Sequence, residues 1–146
     1  MAEEVELKFE VAEKTFSDLK TMKKLIKQRR GLARRSALRA TYFDTADRAL
    51  QKNNISLRLR HKDGELTQTV KISSSAKGGT QRRREYDLKL CAEAKEPDLS
   101  LLDADARDQV RASIGNDPLE PIVITDVERE TWDLVDGKGT QTQNIR

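Results

Sequence analysis

The chain has 146 residues, of which 36% are apolar, 4% aromatic and 36% charged. That length suits one domain with a core of its own, and the sequence is too apolar and too periodic to be disordered throughout. Twenty-eight Lys and Arg against 25 Asp and Glu leave a net charge of only +3, which is not the profile of a strongly basic nucleic-acid binder.

Residues 3–11, EEVELKFEV, alternate Val5, Leu7, Phe9 and Val11 with Glu4, Glu6, Lys8 and Glu10. A period of two predicts a strand with one apolar and one charged face. Residues 15–30 place Phe16, Leu19, Met22, Leu25 and Ile26 at helical spacing, with Thr15 or Ser17 to cap the start and Gly31 to end the helix. From residue 38 a series of strands is expected. LRATYFDT leads into a loop, ADRALQKNN. ISLRLRHKDG and ELTQTVKI then form a hairpin about Asp63-Gly64. Residues 73–79 are Ser- and Gly-rich and read as a flexible loop, and TQRRREYDLKL as the next strand. Residues 92–121 contain an acidic, helical segment ending near Gly115, with Pro97, Pro118 and Pro121 at the borders. IVITDVERETWDLVDGKGTQ is a last strand running into an Asp136-Gly137 turn. There is no repeat and no linker, so 1–146 reads as a single domain.

The polar faces of these strands carry the chemistry. They present Glu4, Glu6, Lys8 and Glu10; Ser56, Arg58, Arg60 and Lys62; Glu65, Thr67, Thr69 and Lys71; Gln81, Arg83, Glu85, Asp87 and Lys89; then Thr125, Val127, Arg129, Thr131 and Asp133. The opposite faces are largely apolar. A half-solvated antiparallel sheet explains any one of these strands. Five together, with cations gathered in the middle strands and paired carboxylates in the first, favour a sheet curled around a polar lumen. The expected fold is α+β: an antiparallel β-barrel with helices packed outside, which also removes exposed sheet edges.

Side chains at i and i+2 of a strand lie about 6.5–7 Å apart on one face. Glu4 and Glu6 therefore present two carboxylates in line, a set suited to Mg²⁺ or Mn²⁺ with water and phosphate oxygens completing the shell. Lys8, Arg58, Arg60, Lys71, Arg83 and Arg129 supply six cations, whose repulsion a linear triphosphate would relieve better than a single phosphate. Phosphoanhydride hydrolysis calls for positioning and charge neutralisation rather than covalent chemistry.

Other residues have plainer readings. Cys91 is the one cysteine and His61 the one histidine, so neither an intramolecular disulfide nor a Cys/His zinc cluster can form. The acidic Met1-Ala2-Glu3-Glu4 start and the absence of a long apolar run point to a cytoplasmic protein without a membrane span. The basic run KTMKKLIKQRRGLARRSALR, from Lys20 to Arg39, lacks aromatics on which bases could stack, so a solvated face is preferred to nucleic-acid binding. Trp132 is expected to pack beneath the outer helices.

Glu4-Val5-Glu6-Leu7-Lys8 matches the ExExK motif that opens CYTH proteins. YFDT, SLRLR, TVK, a Gly-containing loop, RREY and TDVERETW follow in the same order. From residue 3 to about 140 the sequence resembles the CYTH, or triphosphate tunnel, family, and bacterial inorganic triphosphatases in particular. The resemblance implies an eight-stranded antiparallel tunnel with helices outside. It implies metal ligation by Glu4 and Glu6, and phosphate contacts from Lys8, Arg58, Arg60, Lys71, Arg83 and Arg129. Glu85 falls on the acidic position of the RxE motif and would orient neighbouring cations; it joins Glu4 and Glu6 as the catalytic set. The implied activity is metal-dependent hydrolysis of inorganic triphosphate or an organic triphosphate. A class IV adenylate cyclase and a non-catalytic polyphosphate- or nucleotide-binding module are the alternatives. The family pattern continues beyond DGKGTQ into further strands with alternating glutamates, whereas this sequence ends at GKGTQTQNIR. The tunnel is thus expected to be C-terminally truncated, with open sheet edges that favour a homodimer.

Overall fold

The computed structural model describes residues 9–75, 81–136 and 139–144, with the backbone alone given for Ser75, Gln81, Asp136 and residues 139–144. The helices are α1 (Glu13–Thr21), α2 (Lys23–Gln28), α3 (Ala49–Lys52) and α4 (Ala104–Ile114). The strands are β1 (Arg29–Asp44), β2 (Ile55–Lys62), β3 (Glu65–Ser75), β4 (Gln81–Leu90), β5 (Glu120–Asp136) and β6 (Gly139–Asn144). A short 3₁₀ turn at Leu99–Leu101 precedes α4. The strands are hydrogen-bonded in the order β4-β3-β2-β1-β5-β6. The architecture is therefore α+β with an antiparallel sheet, as expected. Closure is not seen: among the described residues the sheet is open, with β4 and β6 at its ends.

The described chain forms two compact units. One comprises Ser36–Arg129; the other holds the residues up to Arg35 and from Glu130 onward.

In the larger unit β2, β3 and β4 form a meander. Asp63 (φ 51) and Gly64 (φ 79) both adopt positive φ between paired Lys62 and Glu65, the two-residue turn whose twist suits a hairpin. That turn sets the register, and with it which side chains share a face. Ile55, Leu57, Leu59, Leu66, Val70 and Ile72 enter a core with Phe43 and Leu50. Leu102, Ala106, Val110 and Ile114 of the α4 region complete it at helical spacing. Gly115, at φ 58, ends α4 as its sequence position suggested.

Two buried polar side chains hold this core's loops. Asp44 is 2% exposed, and its carboxylate accepts from the backbone N–H groups of Thr45 (2.7 Å), Leu50 (2.9 Å) and Gln51 (3.1 Å). The segment read as a loop, ADRALQKNN, is thus folded around a carboxylate and contains α3. Gln68 is fully buried on the apolar side of β3. It donates to the Asp98 carbonyl (2.9 Å) and accepts from the Asp98 N–H (2.7 Å), tying the 91–98 connection to the sheet. Gln68→Leu is expected to cost about 2 kcal/mol, because both Asp98 backbone groups lose their partner. Urea unfolding measures that cost, and amide exchange at Asp98 should accelerate with it.

On the outer side, Asp105 of α4 accepts from Tyr86 Oη (2.9 Å) and Arg84 Nη1 (2.7 Å) of β4. The Tyr86 hydrogen bond is the main reason that the Asp105 carboxyl lies below the usual carboxylate range and the Tyr86 phenol above its ordinary value.

In the smaller unit, Trp132 is buried and shares a small hollow with Phe16 and Leu19 of α1, matching its expected place under a helix. Arg29 lies over the indole, 4.4 Å from the ring centroid. Glu130 accepts from Trp132 Nε1 (2.7 Å) and pairs with Lys20 (3.0 Å) and Arg35 (3.3 Å). The Lys20 hydrogen bond is the chief cause of its lowered pKa.

Several expectations are corrected. The strand predicted over 3–11 lies mostly outside the described residues, and the part that is described, 9–11, is not in a strand; Phe9 is 79% exposed. The helix predicted over 15–30 breaks at Met22, whose extended backbone separates α1 from α2. Helical structure ends at Gln28, and Gly31 sits inside β1 with φ 75, a conformation that glycine tolerates without strain. β3 continues through Ser75, so the predicted loop begins later than residue 73. The GTQTQN stretch, with no apolar alternation, pairs with β5 as β6.

Candidate functional site

Alternation along β2, β3 and β4, together with their register, brings the middle-strand cations onto one face. Ser56 pairs with Lys71, Arg58 with Thr69 and Arg60 with Thr67. Across the next seam Lys71 pairs with Glu85, Thr69 with Asp87, and Ser73 with Arg83. On the other side Tyr42 of β1 stands beside Arg58 and Ala40 beside Arg60. The face thus carries Arg58, Arg60, Lys71 and Arg83, while the leucines and valines of the same strands point into the core.

Glu85 organises two of these cations. Lys71 Nζ lies 3.1 Å from Glu85 Oε2, and Arg58 Nη2 lies 4.0 Å from Oε1. Arg58 is only 14% exposed, and its Nε is buried with no hydrogen-bond partner. An unpaired buried donor on a charged group is costly. An anion with several acceptor oxygens would satisfy it. Burial, and then the neighbouring Arg58 guanidinium, push the Arg60 pKa down; Asp87 and Glu85 act against that. Asp87 is fixed in turn by Thr69 Oγ1, whose hydroxyl donates to Oδ1 at 2.5 Å. Like charges held this closely form a site that gains most from a polyanion.

The other sequence-predicted residues fall as follows. Arg83 is exposed on β4. Arg129 is half-buried on β5 and already engaged in an interaction. Glu4, Glu6 and Lys8 lie outside the described residues. Among the described residues no group of three or more His, Cys, Asp or Glu side chains could hold a metal ion. Glu85 and Asp87 are taken up by Lys71 and Thr69, so the described carboxylates alone do not fit a divalent cation. Sequence reasoning missed the bond between Thr69 and Asp87. Their position opposite one another on the polar faces was the available signal.

His61 is exposed near the hairpin turn, in an open cavity of about 430 Å³ with Arg39, Asp63 and Asp126. It is apart from the cationic strip, since alternation turns it to the other face from Arg60. Cys91 is exposed and its thiol donates to Glu93. No described helix is long and apolar enough to cross a membrane.

Comparison with known proteins adds three findings. The CYTH domain family matches residues 2–142. An inorganic triphosphatase from Haemophilus influenzae is 34% identical over 92 residues. That stretch is 63% of this chain but only 25% of the relative, so the chain spans about a quarter of that protein. Among solved structures, a putative adenylyl cyclase from Hippeastrum, described as having a dominant triphosphatase activity, superposes with a TM-score of 0.61 at 13% identity. The match covers 87% of this chain and 65% of that one. A putative adenylate cyclase from Bacillus halodurans gives a TM-score of 0.51 at 19% identity, over 88% and 65% of the two chains. At those identities the two structures speak for the fold.

Proposed function

This chain belongs to the CYTH domain family, and from that premise we propose that it binds a triphosphate on the cationic face of β2, β3 and β4 and hydrolyses one of its phosphoanhydride bonds. The observation that carries the proposal is the buried, unpartnered Nε of Arg58 within a strip of cations. Inorganic triphosphate is the preferred substrate, supported by the name of the Haemophilus relative.

Each residue has a part. Arg58 and Arg60 offer guanidinium forks to non-bridging phosphate oxygens, and Lys71 and Arg83 offer further positive charge. Lys8 and Arg129 are the remaining proposed phosphate contacts. Glu85 holds Lys71 and Arg58 in place before the anion arrives. Glu4 and Glu6 are the proposed ligands of Mg²⁺ or Mn²⁺, an ion that would offset charge on the phosphate oxygens. The chain's own cations neutralise the phosphates and align the anhydride for attack by water, which is most of what phosphoryl transfer requires.

The deciding experiment follows phosphate released from tripolyphosphate, with and without Mg²⁺, alongside cyclic AMP formed from ATP. Metal-dependent phosphate release is expected, and the double substitution Glu4→Gln, Glu6→Gln should abolish the response to metal. Cyclic AMP without phosphate release would assign the chain to the cyclase branch. Tight tripolyphosphate binding without turnover would make it a binding module. Failure to bind tripolyphosphate with or without Mg²⁺ would refute the site itself.

A further inference from the structure

Between Asp18 and Asp44 the sequence has no acidic residue and nine Lys or Arg. The folded chain divides these cations into two groups. Lys20 and Arg35 are neutralised by Glu130, Arg34 by Asp133 and Arg39 by Asp126, and Arg29 lies over Trp132. Lys23, Lys24, Lys27 and Arg30 are exposed, and none pairs with a carboxylate among the described residues.

These unpaired cations sit beside exposed apolar side chains. Met22 is 48% exposed, Ile26 47% and Leu32 91%. At about 100° per residue, Met22, Leu25 and Ile26 occupy one arc of α2 and its cap, and Lys23, Lys24 and Lys27 the opposite arc. A solvated helix has no use for the first arc, and a nucleic acid would have no aromatic side chain here on which to stack. The pairing of a cationic arc with a partly exposed apolar arc is the pattern of a helix lying in a membrane–water interface. Arg30 and Leu32, both exposed, follow directly at the start of β1.

We propose that α2 and the first residues of β1 form a docking surface for an anionic lipid bilayer. Met22, Ile26 and Leu32 enter the headgroup boundary, while Lys23, Lys24, Lys27 and Arg30 meet the lipid phosphates. This surface is independent of the triphosphate reading, since it shares no residue with the β2–β4 strip. It would hold the protein on a membrane surface through headgroup contacts.

The test is flotation of the whole chain with two sets of vesicles, one of phosphatidylcholine alone and one with about a third phosphatidylglycerol. Binding to the anionic vesicles only, weakening as salt rises, is expected. Lys23→Gln, Lys24→Gln and Lys27→Gln together should reduce partitioning at least tenfold, because each surface cation adds to the attraction toward an anionic leaflet. Ile26→Ser with Leu32→Ser should reduce it as well; these exposed positions permit the change without unfolding, which a thermal melt verifies. Equal binding to both vesicle types, no binding to either, or binding that survives the triple substitution overturns the proposal. So does capture of single-stranded RNA or an acidic polypeptide by the same lysines while anionic vesicles are ignored.

Discussion

Arg58→Ala is expected to weaken tripolyphosphate binding about a hundredfold while leaving the fold as stable as before, or more so. The guanidinium is 14% exposed, reaches Glu85 only at 4.0 Å, and keeps a buried Nε with no acceptor. Without a bound anion, the residue thus carries a desolvation penalty that its one ion pair offsets weakly. Removing it relieves that penalty, so a thermal melt should not fall. In the bound state the same donors would face phosphate oxygens. Hydrogen bonds to charged groups contribute about 1.5–3 kcal/mol each, so losing a two-pronged contact accounts for two orders of magnitude. Arg58→Lys keeps the charge but not the planar fork and should fall between, about tenfold weaker than the parent. Calorimetric titration with tripolyphosphate reads all three proteins. An unchanged affinity in Arg58→Ala would take this residue out of the site.

The largest effect on stability is expected from Asp44→Ala, a loss of about 3–5 kcal/mol. Three backbone donors converge on this carboxylate, and Leu50, which it holds in position, is fully buried in the core. Each donor orphaned away from water costs about 1–3 kcal/mol. A domain of this size has about 5–15 kcal/mol in total, so the variant would stand close to unfolding. Thr45 reinforces the turn, as its hydroxyl accepts from the Ala49 N–H (2.9 Å) and donates to Asp47 (2.7 Å). That second bond is the main reason for the depressed pKa of Asp47. Asp44→Asn retains one acceptor oxygen but turns an N–H toward other N–H groups, and should lose about 2 kcal/mol. Urea midpoints for the two variants check the order. A loss below about 1 kcal/mol in the alanine variant would mean that water replaces the carboxylate at those donors.

The parts of the fold legible in the sequence are those where local pattern and tertiary demand agree. β2, β3 and β4 alternate cleanly, and Asp63-Gly64 supplies the positive φ angles that their turn requires. The shared face of Arg58, Arg60, Lys71 and Arg83 follows from that alternation once the register is fixed. β1 was legible only in its second half, because RRGLARR has no apolar period and follows directly on a helical stripe. β6 is polar throughout and gives no signal of its own; its pairing with β5 is what makes it a strand. Gln68 occupies an apolar parity position, and only the fold reveals the Asp98 backbone that it satisfies. Asp44 looked like the polar end of a strand, and its role depends on N–H groups up to seven residues away. The link from Glu85 to Lys71 is an opposite pair across β3 and β4, yet residue type alone did not single it out. The CYTH resemblance marked Glu85 as orienting neighbouring cations without naming Lys71.

The spatial sequence β2-β3-β4 is also the chain sequence. Arg58, Arg60, Lys71 and Glu85 therefore come together by closing neighbouring hairpins rather than by a long-range search. The entropy lost on closing a loop rises with its length, so these contacts belong to the cheapest that the chain can form early. During folding, the charged strip and the apolar strip behind it would take shape as one meander, without waiting for β5 to reach β1.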